Sequence, residues 1–223
     1  MAARPDLSAW LRSTSLNVIG GMNLSTPPPL PRLRPDSWGR RTKLLIVLAL
    51  IPGLIGGALT VLRSFGLIRP FSIPTRAMAP AVSAGDHVLM ERITFIARQP
   101  RRGDVVVFRT DGIASLPPRQ IYVKRVAGEP GDHLRISEGK LFINDKYVAL
   151  SNSTGEITYN LPPGLAALSP KTDLAVPSDS YFLLGDNSTN SSDSRFWGSV
   201  PRENIIGRIC VCYWPPKRIG GVK

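Results

Sequence analysis

The longest apolar stretch of the chain covers residues 44–62 and contains no charged residue. As a helix, its 19 residues could cross a hydrocarbon core of about 30 Å, at a rise of about 1.5 Å per residue. Helices in soluble cores are rarely so continuous and unpatterned. The 43 residues before the stretch are too many for a cleaved secretory signal, and the apolar run is too long for one. We therefore expect one retained transmembrane helix over residues 44–62.

Beyond residue 70 the pattern changes to short runs rich in β-branched and aromatic residues, separated by turn signals such as Asn144-Asp145. The 21 Pro and 20 Gly also favour short strands over a helical bundle. We predict a mostly β fold, an antiparallel barrel-like or sandwich domain behind one N-terminal transmembrane helix. The predicted strands are His87 to Met90, Asp104 to Arg109, Ile121 to Ala127, His133 to Ile136, Lys140 to Ile143, Tyr181 to Leu184 and Ile205 to Tyr213.

These patterns divide the chain into three parts. Residues 1–43 form a basic, proline-containing N-terminal segment, in which residues 27–31 indicate a stiff linker. The helix of residues 44–62 follows, and residues 70–223 form the β-rich domain. Within that domain, residues 151–177 are rich in Ser, Pro and Gly and indicate an inserted loop or small subdomain.

The net charge of +12 is unevenly distributed, since residues 1–43 hold seven Arg or Lys against two Asp. The basic cluster adjoins the apolar run and lacks the aromatic interleaving of nucleic-acid modules, so we expect anionic membrane lipids, and no nucleic acid, as partners. The positive-inside rule then keeps the N-terminus cytoplasmic and exports the β-rich domain across a bacterial plasma membrane. Alternatively, the Arg-rich, acid-poor N-terminus is a transit peptide to the thylakoid or mitochondrial inner membrane.

The sequence offers few groups for metal or histidine chemistry. Cys210 and Cys212 lie two apart in a predicted strand, where a bridge would be strained, so packed free thiols are expected. His87 and His133 have no metal-binding spacing and no recognisable serine-triad context. We expect no metal or cofactor. Any hydrolase here needs another base, and Lys124 is the candidate, because burial among Ile121–Val126 would favour its neutral amine.

In the segment after residue 72, Pro74 and Pro80 oppose helix formation. In an extended segment alternate residues share a face, so we expect Thr75 and Ala77 to point the same way.

Four short motifs follow one another downstream of the apolar run. They are Ile73-Pro74-Thr75 with Met78, Pro80 and Gly85-Asp86; Arg102 to Phe108; Lys124-Arg125-Val126 with Gly128 and Pro130-Gly131-Asp132; and Gly185-Asp186-Asn187 with Ser191, Asp193-Ser194-Arg195, Trp197-Gly198 and Gly207.

In this order the motifs resemble those of type I signal peptidases over roughly residues 71–208. Any one of them is a weak signal, but four in order behind one anchor is a strong one. The resemblance implies a serine and lysine dyad that removes signal peptides from exported preproteins, cutting after small residues. The peptide would align as an added strand along the site.

The resemblance also assigns roles to individual residues. Lys124 takes the position of the general base, and Ser191 that of the hydroxyl that holds its amine. Thr75 and the backbone N–H of residue 77 take the oxyanion-binding positions. Asp193 and Arg195 would form a supporting ion pair, and further supporting positions are Met78, Gly185, Asp186 and Asn187.

One position departs from the resemblance, because Ala77 stands where the family carries its attacking serine. Alanine has no nucleophile, so this form should be inactive or impaired. The chain is then an engineered variant, a natural relative that has lost catalysis, or an enzyme that attacks with Thr75. The first two are favoured, because strand neighbours two apart lie about 6.5 Å from each other and a misplacement of 1 Å can cost about 10²-fold. The alternative function is a non-catalytic protein or accessory subunit that binds signal peptides.

Overall fold

The protein is described here by a computed structural model that covers residues 39–161 and 172–222. The chain forms two units, Met1–Pro52 and Gly53–Lys223. Most of the predicted N-terminal segment, including the proline-rich linker and its first four basic residues, lies outside the described residues.

The apolar run forms a single helix, α1 (Arg40–Ser64), which extends the predicted helix by four residues at its start and two at its end. None of its residues is buried, and it is long and apolar enough to cross a membrane. Arg40, Arg41 and Lys43 lie in its first turn, and Arg63 lies in its last. The helix therefore has the length and the flanking charges of the predicted anchor.

After α1, the described residues of the second unit form fourteen strands and two short α-helices. The strands are β1 (Ile68–Ser72), β2 (His87–Glu91), β3 (Val105–Arg109), β4 (Ile121–Gly128), β5 (His133–Ser137), β6 (Lys140–Ile143), β7 (Lys146–Tyr147), β8 (Ser151–Asn152), β9 (Gly155–Glu156), β10 (Asp173–Ala175), β11 (Ser180–Leu184), β12 (Val200–Pro201), β13 (Ile205–Trp214) and β14 (Gly220–Gly221); the helices are α2 (Thr94–Ala97) and α3 (Ser194–Trp197).

The strands form antiparallel sheets. The main sheet has the order β1-β2-β13-β3-β4-β11-β12, with β14 added beside β13. A second sheet has the order β10-β5-β6-β7, and β8 pairs with β9 as a separate ribbon. The prediction of a mostly β, antiparallel fold behind one N-terminal helix is confirmed.

The main sheet is covered on both faces. In β3, Val105 and Val107 pack into one core cluster, whereas Val106 and Phe108 pack into another. This alternation follows from the two-residue period of a strand. Because β4 lies between β3 and β11, its second half is covered on both edges and both faces, and polar side chains placed there are buried with it.

The second sheet has its own apolar core, which joins the main sheet through Phe182 and Leu184 of β11. The predicted insertion at residues 151–177 contributes to this core at both ends, through Ile157 and Val176. The strand β10 near its end pairs with β5. Residues 162–171 of the segment lie outside the described residues, so its boundaries stay a prediction.

Candidate active site

The loop between β1 and β2 carries the first motif and is closed at its base by two backbone hydrogen bonds. The Ile73 N–H donates to the Asp86 carbonyl at 2.9 Å, and the Gly85 N–H donates to the Ile73 carbonyl at 2.8 Å. Met78 is buried and packs in the main-sheet core with Ile73 and Val82. The loop is thus anchored at both ends and in its middle, which fixes the backbone around Ala77.

The extended conformation predicted for this loop is wrong from Arg76 onward. The Ala79 N–H donates to the Arg76 carbonyl at 3.0 Å, and the Val82 N–H donates to the Met78 carbonyl at 2.9 Å, as in consecutive turns. The prolines could not prevent this, because each restricts only its own φ and the residue before it. Thr75 and Ala77 nevertheless line the same groove.

This groove has a volume of about 390 Å³ and lies between the Ala77 loop and the start of β4. It contains hydroxyl, amide and cationic groups and no carboxylate. Its lining residues are Ile73, Pro74, Thr75, Arg76, Ala77, Met78, Gln120, Ile121, Tyr122, Val123, Lys124, Asn190 and Ser192. Among the polar or reactive positions here, sequence analysis singled out Thr75, Ala77 and Lys124. It missed Arg76, Gln120, Asn190 and Ser192, which carry no motif spacing of their own.

Lys124 lies in β4, opposite Val106 of β3, and is only 4% exposed. The pKa of its amine is lowered from 10.5 to about 8, mainly because burial disfavours the charged form. The charge of Arg195 also lowers this pKa, whereas the charges of Asp193 and Asp186 raise it. Lys124 forms no hydrogen bond or ion pair with any residue in the described ranges. A buried amine with a pKa this close to neutrality can exchange a proton with a group in the groove.

A second loop, which follows β11, holds the Ala77 loop in position. The Asn187 N–H donates to the Ala77 carbonyl at 3.1 Å, and its side-chain amide donates to the Arg76 carbonyl at 3.2 Å. A Cβ added at Gly185 would lie 2.7 Å from the Ala77 carbonyl oxygen and would collide with the Ser191 side chain. Gly185 therefore permits the close approach of the two loops.

Two buried ion pairs lie beside Lys124. Arg125 forms a bidentate pair with Asp186, with N–O distances of 2.7 and 2.6 Å, and Arg195 pairs with Asp193 at 2.8 and 2.9 Å. All four side chains are at most 2% exposed. Asp186 was expected at the site, but its partner was missed, because Arg125 follows Lys124 in the strand and alternation alone would direct it to solvent.

Arg195 also fixes the surrounding backbone. Its guanidinium donates to the carbonyls of Asn160 and Ser188, each at 2.7 Å. Asp193 in turn accepts the Gly185 N–H at 3.1 Å and caps α3 by accepting from the Arg195 N–H. The predicted ion pair is thus present, and it links the base of residues 151–177 to the loop beside the groove.

Ser191 is buried behind the groove rather than in its lining. Its hydroxyl oxygen has no hydrogen-bond partner among the described residues. The contact with Lys124 that the family resemblance implies is therefore not made as a hydrogen bond in this structure.

The remaining candidates lie outside the groove. His87 and His133 do not line it, and Cys210 and Cys212 are free thiols of β13 whose pKa values burial raises. Within the described ranges there is no group of three or more His, Cys, Asp or Glu that could hold a metal ion.

The chain is similar in sequence to several signal-processing peptidases. A probable signal peptidase I-2 of Synechocystis sp. is 36% identical over 149 residues, which cover 66% of this chain and 64% of that protein. A signal peptidase I of Leptolyngbya laminosa is 38% identical over 151 residues, covering 66% of this chain and 70% of the relative. Thylakoidal processing peptidase 1 of Arabidopsis thaliana, a chloroplastic protein, is 32% identical over 166 residues, covering 72% of this chain and 46% of the relative.

The chain thus spans a little less than two thirds of the Synechocystis relative and under half of the plant one. The family model described as signal peptidase, peptidase S26, matches residues 42–214, which include all but the first two residues of α1 and every residue of the groove. The chain belongs to the signal peptidase family, peptidase S26.

Proposed function

We propose that this chain is a membrane-anchored signal peptidase I whose groove receives the signal peptides of exported preproteins, and that Ala77 leaves it inactive or strongly impaired. The observation that carries the proposal is the buried Lys124, whose amine lines one groove with Thr75 and Ala77. The identities with signal peptidases I of two organisms support the substrate class.

The chemistry expected of the parent site follows from these groups. With a serine at position 77, Lys124 would take the hydroxyl proton as the oxygen attacks the scissile carbonyl. The N–H of residue 77 and the Thr75 hydroxyl would stabilise the oxyanion. Ser191 would orient the amine after a small rearrangement, and the Asp193–Arg195 pair would fix its surroundings. Ala77 lacks the attacking oxygen, while Thr75 and Lys124 still line the groove.

Thr75 is the remaining hydroxyl of the groove that precedes Ala77, and it is a poor substitute nucleophile. The turn that begins at Arg76 separates it from the position of the Ala77 side chain. An attacking atom displaced by even 1 Å loses about 10²-fold in rate.

The proposal includes a location. With α1 as the anchor and the basic residues before it on the cytoplasmic side, the β-rich domain faces the outside of a bacterial plasma membrane. The Arabidopsis relative named as thylakoidal supports the alternative of a thylakoid membrane. Anionic lipid headgroups would contact the basic flank in either case.

The test is to restore the missing oxygen. Detergent-solubilised Ala77→Ser protein should cleave a preprotein after its signal peptide, and the native chain should cleave it at least about 10²-fold more slowly. Since Lys124 must be unprotonated to act as the base, the rate should rise with pH through about 8.

The matched control is Ala79→Ser, which adds the same hydroxyl two residues further on, outside the groove. It should remain inactive. If folded Ala77→Ser protein is as inactive as the control, the enzyme proposal is wrong for this chain. Binding without cleavage by that variant would instead support the alternative, a non-catalytic protein that holds signal peptides or assists another peptidase.

A further inference from the structure

The groove carries positive charge that no acidic residue of its lining neutralises. Of its lining residues, Lys124 and Arg76 are cationic and none is acidic. The side chain of Arg76 is exposed and forms no hydrogen bond or ion pair with any described residue. The groove therefore presents two positive groups and no internal anion.

The acidic residues nearest to Lys124 are already paired. Asp193 is held by Arg195 and Asp186 by Arg125, so these four charges form two neutral pairs, and none of the four residues lines the groove. Tyr159, buried near the same four charges, has a raised pKa and stays neutral. No carboxylate is left over to neutralise Lys124.

At pH 7 the ammonium form of Lys124 still predominates about tenfold over the neutral amine, because its pKa is about 8. In an active enzyme a serine hydroxyl would stand beside this amine. Here position 77 offers only a methyl group, and it lines the same groove as Lys124. A buried cation without an anion favours binding of an anionic ligand.

We propose that the groove binds peptides ending in a small residue with a free α-carboxylate, in preference to the same sequence inside an uncleaved chain. The carboxylate would contact Lys124 and Arg76, while the preceding residues occupy the groove as they would in a substrate. This rests on the proposed function, because it places the peptide in the same groove.

Such a ligand is the product of an endopeptidase reaction. Hydrolysis of a preprotein by an active peptidase leaves the signal peptide with a new carboxylate after its last small residue. The present chain would act after that step and hold the released signal peptide at the membrane.

The proposal predicts a specific pH dependence. A carboxylate binds the protonated amine, so its affinity should be full below about pH 8 and fall as pH rises above that value. This is opposite to the cleavage rate of Ala77→Ser protein, which needs the neutral amine. A peptide without a carboxylate should show little dependence on pH in this range.

The experiment compares two synthetic peptides of one sequence ending in Ala-Gln-Ala, one with a free carboxylate and one with a carboxamide. Binding to the native, detergent-solubilised chain is measured by calorimetry at pH 7 and at about pH 9.5. We expect the carboxylate peptide to bind about tenfold more tightly at pH 7, and this preference to shrink at the higher pH.

Three variants locate the effect. Lys124→Met should abolish the preference for the carboxylate, and its circular dichroism spectrum should show that the variant folds. Lys146→Met removes an exposed lysine of β7 and should change neither peptide. Arg76→Gln should reduce the preference by a smaller factor, because its side chain is exposed to solvent.

Equal binding of both peptides, unchanged by Lys124→Met, would overturn the inference and leave the peptide groove of the proposed function standing. Failure of both peptides to bind to the native chain would overturn the inference and also count against the proposed function.

Discussion

The two sheets of the β-rich domain differ in whether their charged side chains are buried or exposed. Around the groove at the end of the main sheet, five charged side chains are buried: Lys124, Arg125, Asp186, Asp193 and Arg195. On the second sheet the interior is apolar, and polar or ionisable residues such as His133, Lys140 and Asp173 lie exposed at its surface.

Burial of charge is unfavourable, so a fold keeps such a cluster only where it is paired or serves another purpose. Four of the five charges form two ion pairs, and Lys124 is the one left over. The contrast with the second sheet supports the groove as the proposed site, because perturbed, buried titratable groups concentrate at functional sites.

The largest expected effect comes from breaking a buried pair at the groove. Arg195→Met would leave Asp193 without its partner and remove the hydrogen bonds to Asn160 and Ser188. We expect the free energy of unfolding to fall by about 3–5 kcal/mol. Urea unfolding in detergent, followed by tryptophan fluorescence, measures this.

The matched change on the second sheet is His133→Ala, which breaks the exposed pair between His133 and Asp173 at 3.2 Å. Because solvent screens this pair, unfolding should change by less than about 1 kcal/mol. Similar losses for the two variants would remove the contrast between the sheets.

The next largest effect is a gain, not a loss, in the free energy of unfolding. Lys124 titrates near pH 8 when folded and near 10.5 when unfolded, so at pH 7 its burial destabilises the fold by about 3 kcal/mol. The cost is full below pH 8 and disappears as pH rises to 10.5. Lys124→Met should therefore be more stable than the native chain at pH 7, and the gain should vanish above pH 10.5.

Urea unfolding across this pH range measures the difference, with Lys146→Met as the control for loss of a lysine. A Lys124→Met variant that is less stable at pH 7 would mean that the amine has a stabilising partner. That result would contradict the uncompensated charge on which the groove's preference for anions depends.

The last comparison uses two glycine substitutions to distinguish a loss of stability from a loss of peptide binding. Gly185→Ala and Gly128→Ala both place a methyl group in a crowded position, the first against the Ala77 carbonyl and Ser191, the second against Val176 and Phe182 of the second-sheet core. Each should cost about 1–3 kcal/mol of stability. Only Gly185→Ala should also weaken peptide binding, because only it displaces the Ala77 loop. Equal effects on binding would argue against a localised site.

Much of the β architecture could be predicted from the sequence because the long strands alternate or are uniformly apolar between turn signals. Lys140–Ile143 was predicted with its observed bounds, and β13 extends the prediction by one residue. The two- and three-residue strands could not be predicted. Asp173–Ala175 has no pattern of its own and forms only because β5, about 40 residues earlier in the chain, offers an edge.

Site residues could be predicted where one residue type carries the chemistry, as at Lys124. They could not be predicted where burial of a charged side chain depends on an ion pair with a residue far away in the sequence. Arg125 is buried because Asp186, 61 residues away, compensates it. Arg218 similarly pairs with Asp86 and donates to the Pro80 carbonyl of the Ala77 loop, from beyond the region that the family model matches. Neither pairing has a signal in the local sequence.

The central claim, that Lys124 is a buried and uncompensated amine beside Ala77, is tested most directly by its own titration. In protein labelled with ¹³C at the lysine ε-carbon, the signal absent from Lys124→Met protein identifies the residue, and its chemical shift can be followed with pH. We predict a midpoint at about pH 8, well below that of the other lysines. A midpoint near the ordinary lysine value of 10.5 would show a solvated or paired amine and would contradict the account.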